Sequence, residues 1–290
     1  MSEPVWTIRD LLGWTTDYLA KKGASPSTAR LEAQLLLAHV LRCKKVDLLV
    51  RFEEIPPEPQ RAAFRELIKR RTDGLPVAYL VGSREFYMLE FEVSPAVLVP
   101  RPETESLVAE ALQLLKPLAA PMVLDLCTGS GCIGVSIAHQ KTDARVTLAD
   151  VSPDALDVAR RNAKKHGVES RLQFRQGDLF AALPAGSLFD AILCNPPYIA
   201  PGELATLAPD VREHEPRLAL DGGPDGLAFY RRLAADAARH LNPGGVLLME
   251  IGSTQEDAVR AIFAEKPEFE MKSVLKDSAG LPRVAIVRKK

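Results

Sequence analysis

Val123-Leu-Asp-Leu-Cys-Thr-Gly-Ser-Gly-Cys-Ile-Gly134 decides the fold. A short apolar run enters a turn carrying Gly129 and Gly131, and an apolar, helix-compatible segment follows from Gly131 onward. Strand, tight turn and helix in that order make the first βα unit of a doubly wound α/β fold, and Gly129, Gly131 and Gly134 satisfy G-x-G-x-x-G. Asp150 closes the next apolar run, where such folds carry a carboxylate for ribose hydroxyls. A tight turn with no ligand is the plainer alternative.

Outward from this unit the rhythm repeats. Strands are expected at 122–126, 145–150, 171–177, 189–194, 244–251, 271–277 and 283–288, and helices at 103–116, 131–140, 153–166, 225–240 and 254–265. Apolar strands alternating with helices predict a largely parallel sheet covered on both faces. Its ligand belongs beyond the carboxyl ends of the strands, near the first βα turn. Ahead of it, Ile8, Leu11, Leu12, Thr15, Tyr18 and Leu19 recur at helical spacing, and a second helix, capped by Ser25 or Ser27, carries Leu31, Leu35, Leu36, Ala38, Val40 and Leu41. Pro56, Pro57 and Pro59 interrupt the chain before a third helix at about 60–71. Residues 85–93 alternate imperfectly, as a strand pair does. The expected organisation is a helical domain over 1–75, a β-hairpin connector over 76–100 and an α/β domain over 101–290.

Charge and composition narrow the classes. The 290 residues carry 37 basic and 38 acidic side chains, a net charge of −1, whereas a chain that lives on phosphate contacts has a basic excess. No direct nucleic-acid partner is expected. No apolar run approaches the roughly 18 residues of a membrane span, so no membrane partner is expected either. The opening MSEPVW lacks a leader pattern, and Cys43, Cys127, Cys132 and Cys194 form no C-x-x-C pair, so free thiols and a cytoplasmic location are expected. Glu213-His214-Glu215 has nothing nearby to complete a ligand set, and no metal is expected.

Asp125 separates two cofactor classes. A carboxylate at the end of the first strand repels the pyrophosphate of a dinucleotide, while S-adenosylmethionine brings an ammonium and a sulfonium that it attracts, directly or through water. Gly131 is expected where this cofactor approaches the backbone. Asp178 is placed to accept from the adenine amino group, with Leu179 or Phe180 over the ring. Ala191-Ile-Leu-Cys-Asn-Pro-Pro-Tyr198 then ends the fourth strand. Pro196 and Pro197 have no N–H, so the carbonyls around them stay free, Asn195 adds a side-chain carbonyl, and Tyr198 adds a ring. That is a cradle for a planar NH₂ group: acceptors on its two hydrogens raise electron density at nitrogen and aim it at a methyl donor. Residues 199–224 lack regular pattern and are expected to form a lid or binding loop.

The motifs together resemble the HemK/PrmC family of peptide chain release factor N5-glutamine methyltransferases. They are Pro76-Val-Ala-Tyr-Leu-Val-Gly82 with Phe86, Leu98-Val-Pro-Arg-Pro-Glu-Thr-Glu105, Asp125-Leu-Cys-Thr-Gly-Ser-Gly131 and Asn195-Pro-Pro-Tyr198. Glu215-Pro-Arg-Leu-Ala-Leu220, Gly226-Leu-Ala-Phe-Tyr230 and Gly280-Leu-Pro-Arg283 complete the set. The resemblance implies a Rossmann-like, seven-stranded class I methyltransferase domain behind a small all-α domain and a β-hairpin. It implies S-adenosylmethionine, leaving as S-adenosylhomocysteine, on Asp125, Cys127, Thr128, Gly129, Ser130, Gly131, Asp150, Asp178, Leu179 and Asn195. It further implies the substrate glutamine amide on Asn195, Pro196, Pro197 and Tyr198, with Arg101 and Glu103 lining the same pocket. Asn195, Pro196 and Tyr198 are the expected catalytic residues. Cys127 stands where many relatives carry Gly, and Leu179 where some use Trp.

The partner implied is a class 1 release factor, with its glutamine in a Gly-Gly-Gln loop, met by a monomer. Methylation of a base amine, of a ribosomal-protein glutamine, or cofactor binding without catalysis are the alternatives. The first needs a positive groove that the charge balance does not favour, and the intact Asn195–Tyr198 cradle speaks against the last.

Overall fold

The computed structural model describes residues 6–290. The chain divides into two compact units, one running to Gly82 and including Pro209–His214, the other made of Ser83–Ala208 and Glu215–Lys290.

In the first unit helices α1 (Ile8–Lys21), α2 (Pro26–Leu41), α3 (Lys45–Val50), α4 (Glu58–Thr72) and α5 (Val77–Val81) follow one another. Thr7 caps α1 by accepting from the Asp10 N–H at 3.2 Å while the Asp10 carboxylate takes the Thr7 N–H, a capping box; Ser25 caps α2, and Pro26 begins it. Ile8, Leu36, Leu37, Leu48, Phe64 and Leu80 form the buried centre. Arg71 binds both oxygens of Glu32 at 2.9 and 3.0 Å beneath the surface, tying α4 to α2. Two of these helices go beyond the sequence expectation. Lys45–Val50 is too short to show a stripe, and Val77–Val81, assigned above to the connector, is a helix that starts at Pro76.

The second unit opens with the hairpin β1 (Ser83–Phe86) and β2 (Leu89–Glu92), followed by α6 (Glu105–Leu115). The βα alternation follows: β3 (Met122–Leu126), α7 (Cys132–Gln140), β4 (Arg145–Asp150), α8 (Pro153–Lys165), β5 (Leu172–Gln176) and β6 (Phe189–Cys194). Short helices α9 (Pro201–Leu204) and, in the first unit, α10 (Pro209–His214) interrupt the stretch expected to be irregular. Then come α11 (Ala228–Asp236), β7 (Leu241–Glu250), α12 (Glu256–Ala264), β8 (Phe269–Lys276) and β9 (Pro282–Lys289). Strand β7 starts earlier than expected: Leu241 already pairs with Phe189, and Asn242-Pro-Gly-Gly245, which reads as a turn, forms a bulge before pairing resumes at Val246 with Ala191.

The seven strands stand in the order β5-β4-β3-β6-β7-β9-β8. Strands β3 to β7 pair in parallel and β9 runs against both its neighbours. Both faces are buried, as the apolar strands require. Val123, Val146, Leu148, Ala191 and Leu193 face a core shared with α6, α7 and α8. Their neighbours Leu124, Leu126, Ala149, Ile192 and Cys194 face the other core, with Tyr230, Leu233 and Phe263 of α11 and α12. Side chains alternate across a strand, so one register serves both layers. The order reverses between β3 and β6, and a crevice opens there at the carboxyl ends. No helix among the described residues is long and apolar enough to cross a membrane.

Candidate active site

A cavity of about 510 Å³ occupies that crevice, within the usual range for small-molecule sites. Its floor is the turn after β3, and the reason for that turn's shape lies beneath it. Asp125 is fully buried, and its Oδ2 accepts the Thr128 hydroxyl at 2.5 Å and the Gly134 N–H at 2.9 Å. Burial pushes its carboxyl up to about 7, against the pull of these two bonds. The carboxylate thus supports the loop from below and does not form part of the cavity wall.

The glycines divide the remaining work. Gly129, at φ +55°, has nothing within 4 Å of where a Cβ would sit and lies on the cavity wall. A ligand can approach the backbone there. Gly131, expected at that place, instead faces α8: at φ +79° its Cβ would stand 3.0 Å from the Ala159 Cβ. It is a packing glycine. Cys127 lines the cavity at φ +56°, a left-handed conformation that suits glycine, which accounts for the residue expected there in relatives.

Asp150 lines the cavity at the end of β4. Its two oxygens accept the N–H groups of Gly129 at 2.9 Å and Ser152 at 3.0 Å, so one side chain holds the turn and the start of α8. A carboxylate has further lone pairs to offer two hydroxyls. Burial raises its pKa. Asp178 and Leu179 face the same space, Asp178 paired with Arg232 at 2.8 Å and Leu179 buried at φ +50°. Phe180, the other residue considered for the ring, stacks on His240 away from it, with centroids 4.8 Å apart.

At the exit of β6, Asn195 and Pro197 line the cavity, while Pro196 and Tyr198 stand off it. Asn195 Nδ2 donates to Thr104 Oγ1 at 3.2 Å, leaving its carbonyl oxygen as the end of the amide with no partner among the described residues. None of the described donors reaches the backbone carbonyls of Asn195 or Pro196 either. Tyr198 does not present its ring to the cavity; its phenol donates to Glu250 Oε1 at 3.4 Å, and its carbonyl accepts from Gln255 at 2.9 Å. Gly222 and Gly226 pack against this backbone, where a Cβ would come within 2.6 Å of Tyr198 Cα and 2.5 Å of its carbonyl oxygen.

Arg101 and Thr104 line the cavity, and Glu103 does not. Arg101 donates to Glu215 at 2.5 Å, and Glu215 also accepts the Val99 N–H at 3.2 Å. Glu215, considered above only as part of an incomplete metal-ligand set and of the Glu215–Leu220 motif, is therefore a buried clamp on the segment before α6. Glu250 was not anticipated at all. A carboxylate in the apolar run Val246-Leu-Leu-Met-Glu250 was the available signal. Among the described residues no cluster of three or more His, Cys, Asp and Glu is arranged to hold a metal.

A seven-stranded sheet in this order, with a glycine turn held by Asp125 and Asp150 and an Asn-Pro-Pro-Tyr exit, defines a class I methyltransferase fold. The PrmC N-terminal domain family matches residues 10–82 and the Methyltransferase small domain family matches 105–211. The chain belongs to the release factor glutamine methyltransferase family: it is 42% identical to the Rhodopirellula baltica protein of that name over 98% of this chain and 97% of that one. It is 45% identical to the Geobacter sulfurreducens protein over 90% and 89% of the two chains, and 44% identical to the Moorella thermoacetica protein over 96% of each. Among solved structures, a methyltransferase from Pyrococcus furiosus covers 78% of this chain and 97% of its own, with a TM-score of 0.51 at 19% identity. A T. thermophilus 16S rRNA N2 methyltransferase in complex with AdoMet and guanosine covers 72% and 50%, with a TM-score of 0.52 at 20% identity. These two share the fold.

Proposed function

We propose that the chain methylates the side-chain amide nitrogen of the glutamine in the Gly-Gly-Gln loop of class 1 peptide chain release factors. The observation that carries this reading is the Asn195 amide, held by its NH₂ end on Thr104 so that its carbonyl faces no protein donor. With the free carbonyls of Asn195 and Pro196 it offers acceptors to both hydrogens of a planar NH₂ group. An amide nitrogen is a weak nucleophile because its lone pair is delocalised. Acceptors on both N–H bonds localise density at nitrogen and fix its direction of approach. The proton the nitrogen loses on methylation leaves from one of those bonds to water, since neither carbonyl is basic enough to keep it.

S-adenosylmethionine, when bound, supplies an electrophilic methyl on a sulfonium. The open backbone at Gly129 is where its polar end fits, Asp150 takes the ribose hydroxyls, and Asp178 with Leu179 takes the adenine. Cys127, Thr128 and Ser130 shape the loop between, and Gly131 and Asp125 hold it in place. Arg101 and Pro197 border the glutamine, and Tyr198 backs the cradle through Glu250. Residues 1–75 grip the protein substrate, because the cradle reads only an amide and selection of one glutamine needs contacts remote from it. Incubation with labelled S-adenosylmethionine, a release factor, a ribosomal protein and ribosomal RNA tests the reading. Label is expected on the release factor, and label on RNA alone contradicts it.

A further inference from the structure

Behind Asn195 runs a chain of hydrogen bonds with one direction. Asn195 Nδ2 meets Thr104 Oγ1 at 3.2 Å, and Thr104 Oγ1 meets Glu250 Oε2 at 2.5 Å. Thr104 and Glu250 are each 2% exposed, so the bond between them is shielded from bulk water. A threonine hydroxyl has a single proton. While Glu250 is a carboxylate it can only accept, and the proton goes to it. The threonine oxygen then has only lone pairs for Asn195, which must answer with its NH₂. A flipped amide would set two acceptors against each other.

We infer that Thr104 and Glu250 are positioning residues that fix which end of the Asn195 amide is presented to the substrate. The inference rests on the reading of Asn195 as an acceptor for the glutamine NH₂. It also assigns a condition to the site. Once Glu250 is protonated its O–H can donate to Thr104, whose own proton is freed to meet the Asn195 carbonyl, and the orientation is lost. Burial pushes the Glu250 carboxyl up to about 7, so the change falls in an accessible range. Glu103 raises it further, and Arg283, Thr104 and Tyr198 lower it. The Tyr230 phenol, on the Glu250 backbone carbonyl at 3.1 Å, and the Tyr198 phenol stay neutral, both raised by burial. The nearby Cys132 thiol is likewise raised by burial and stays protonated.

The test uses the whole chain, S-adenosylmethionine and a release factor. Wild-type kcat is expected to fall as pH drops through about 7 with the cofactor KM nearly constant. Thr104→Val is expected to lose about 10²-fold in kcat, the scale of a misplaced reacting group, and to lose the pH limb. Thr104→Ser, which keeps the hydroxyl, is expected to retain both. Nitrogen-15 NMR of the Asn195 side-chain NH₂ gives a readout that needs no transfer: its signal is expected to move with pH in the wild type and not in Thr104→Val. Wild-type kcat in Thr104→Val, equal damage in Thr104→Ser, or an Asn195 signal indifferent to pH overturns the inference. Absence of transfer by the wild type overturns the glutamine reading instead, and the NMR arm then decides the positioning role alone.

Discussion

Asp125 sits directly beneath Gly134: its Oδ2 accepts the Gly134 N–H at 2.9 Å, and a Cβ on residue 134 would meet that same oxygen at 2.9 Å. The carboxylate thus holds the first turn of α7, where the helix dipole favours a negative charge. Leu148 crowds the position from the other side, at 3.0 Å. Gly134→Ala is expected to lower stability by about 1–3 kcal/mol, the usual cost of overpacking. Urea denaturation measures it, and an unchanged midpoint contradicts the packing.

The turn's other glycines separate binding from folding. Gly131→Val places a β-branched side chain at φ +79° against Ala159 and is expected to unfold the domain at lower urea. Gly129→Ala meets open space but intrudes on the cavity wall, at the cost of local strain of about 1 kcal/mol. Calorimetry is expected to show S-adenosylmethionine affinity lost in Gly129→Ala with the fold kept. Unchanged affinity there would remove the cofactor from this turn.

Stability carries the sign of the buried acid. The Asp125 carboxyl is raised from 3.8 to about 7 in the folded chain. Between these values the unfolded state releases its proton before the folded state does, so the stabilising contribution present at low pH is lost as pH rises toward 7. Wild-type stability relative to Asp125→Asn is therefore expected to fall from about pH 5 to pH 7 and level off above, with a slope no steeper than about 1.4 kcal/mol per pH unit. Paired denaturation curves across that range check it. A difference that grows with pH refutes the burial argument.

Substrate size tests the role given to the helical unit. It exposes Trp14, stacked on Tyr18 at 4.9 Å, together with Val46, Leu49, Val50 and Ile55, apolar side chains that its own core leaves uncovered. Removing residues 1–75 is expected to cut methylation of an intact release factor by orders of magnitude and that of a Gly-Gly-Gln peptide far less. Equal losses on both substrates mean that the helices only support the catalytic unit.

The centre of the sheet was legible because its strands are short apolar runs set between helical patterns, as at 123–126 and 191–194, and runs buried on both faces need no finer code. Segments without a period were not. Lys45–Val50 has too few turns to show a stripe, and Val77–Val81 is rich in the β-branched residues that favour strands. The site divides in the same way. The glycine turn, Asp150 and Asn195 lie in contiguous motifs, whereas Glu215 and Glu250 reach the segment around Arg101 and Thr104 from 114 and 146 residues away. Only the fold brings those carboxylates in. Gly131 shows a subtler limit, since a glycine required by a neighbouring helix and one required by a ligand look alike in a motif.

The central claim is that the Asn195 carbonyl receives the substrate NH₂, and single-turnover kinetics on Asn195→Ala test it most directly. With saturating S-adenosylmethionine and a release factor, the methyl-transfer rate is expected to fall about 10²–10³-fold, the cost of losing one aligned polar partner. Cofactor affinity by calorimetry is expected to change much less. A variant that transfers methyl at the wild-type rate, or one whose loss is matched by lost cofactor affinity, contradicts the role assigned to Asn195.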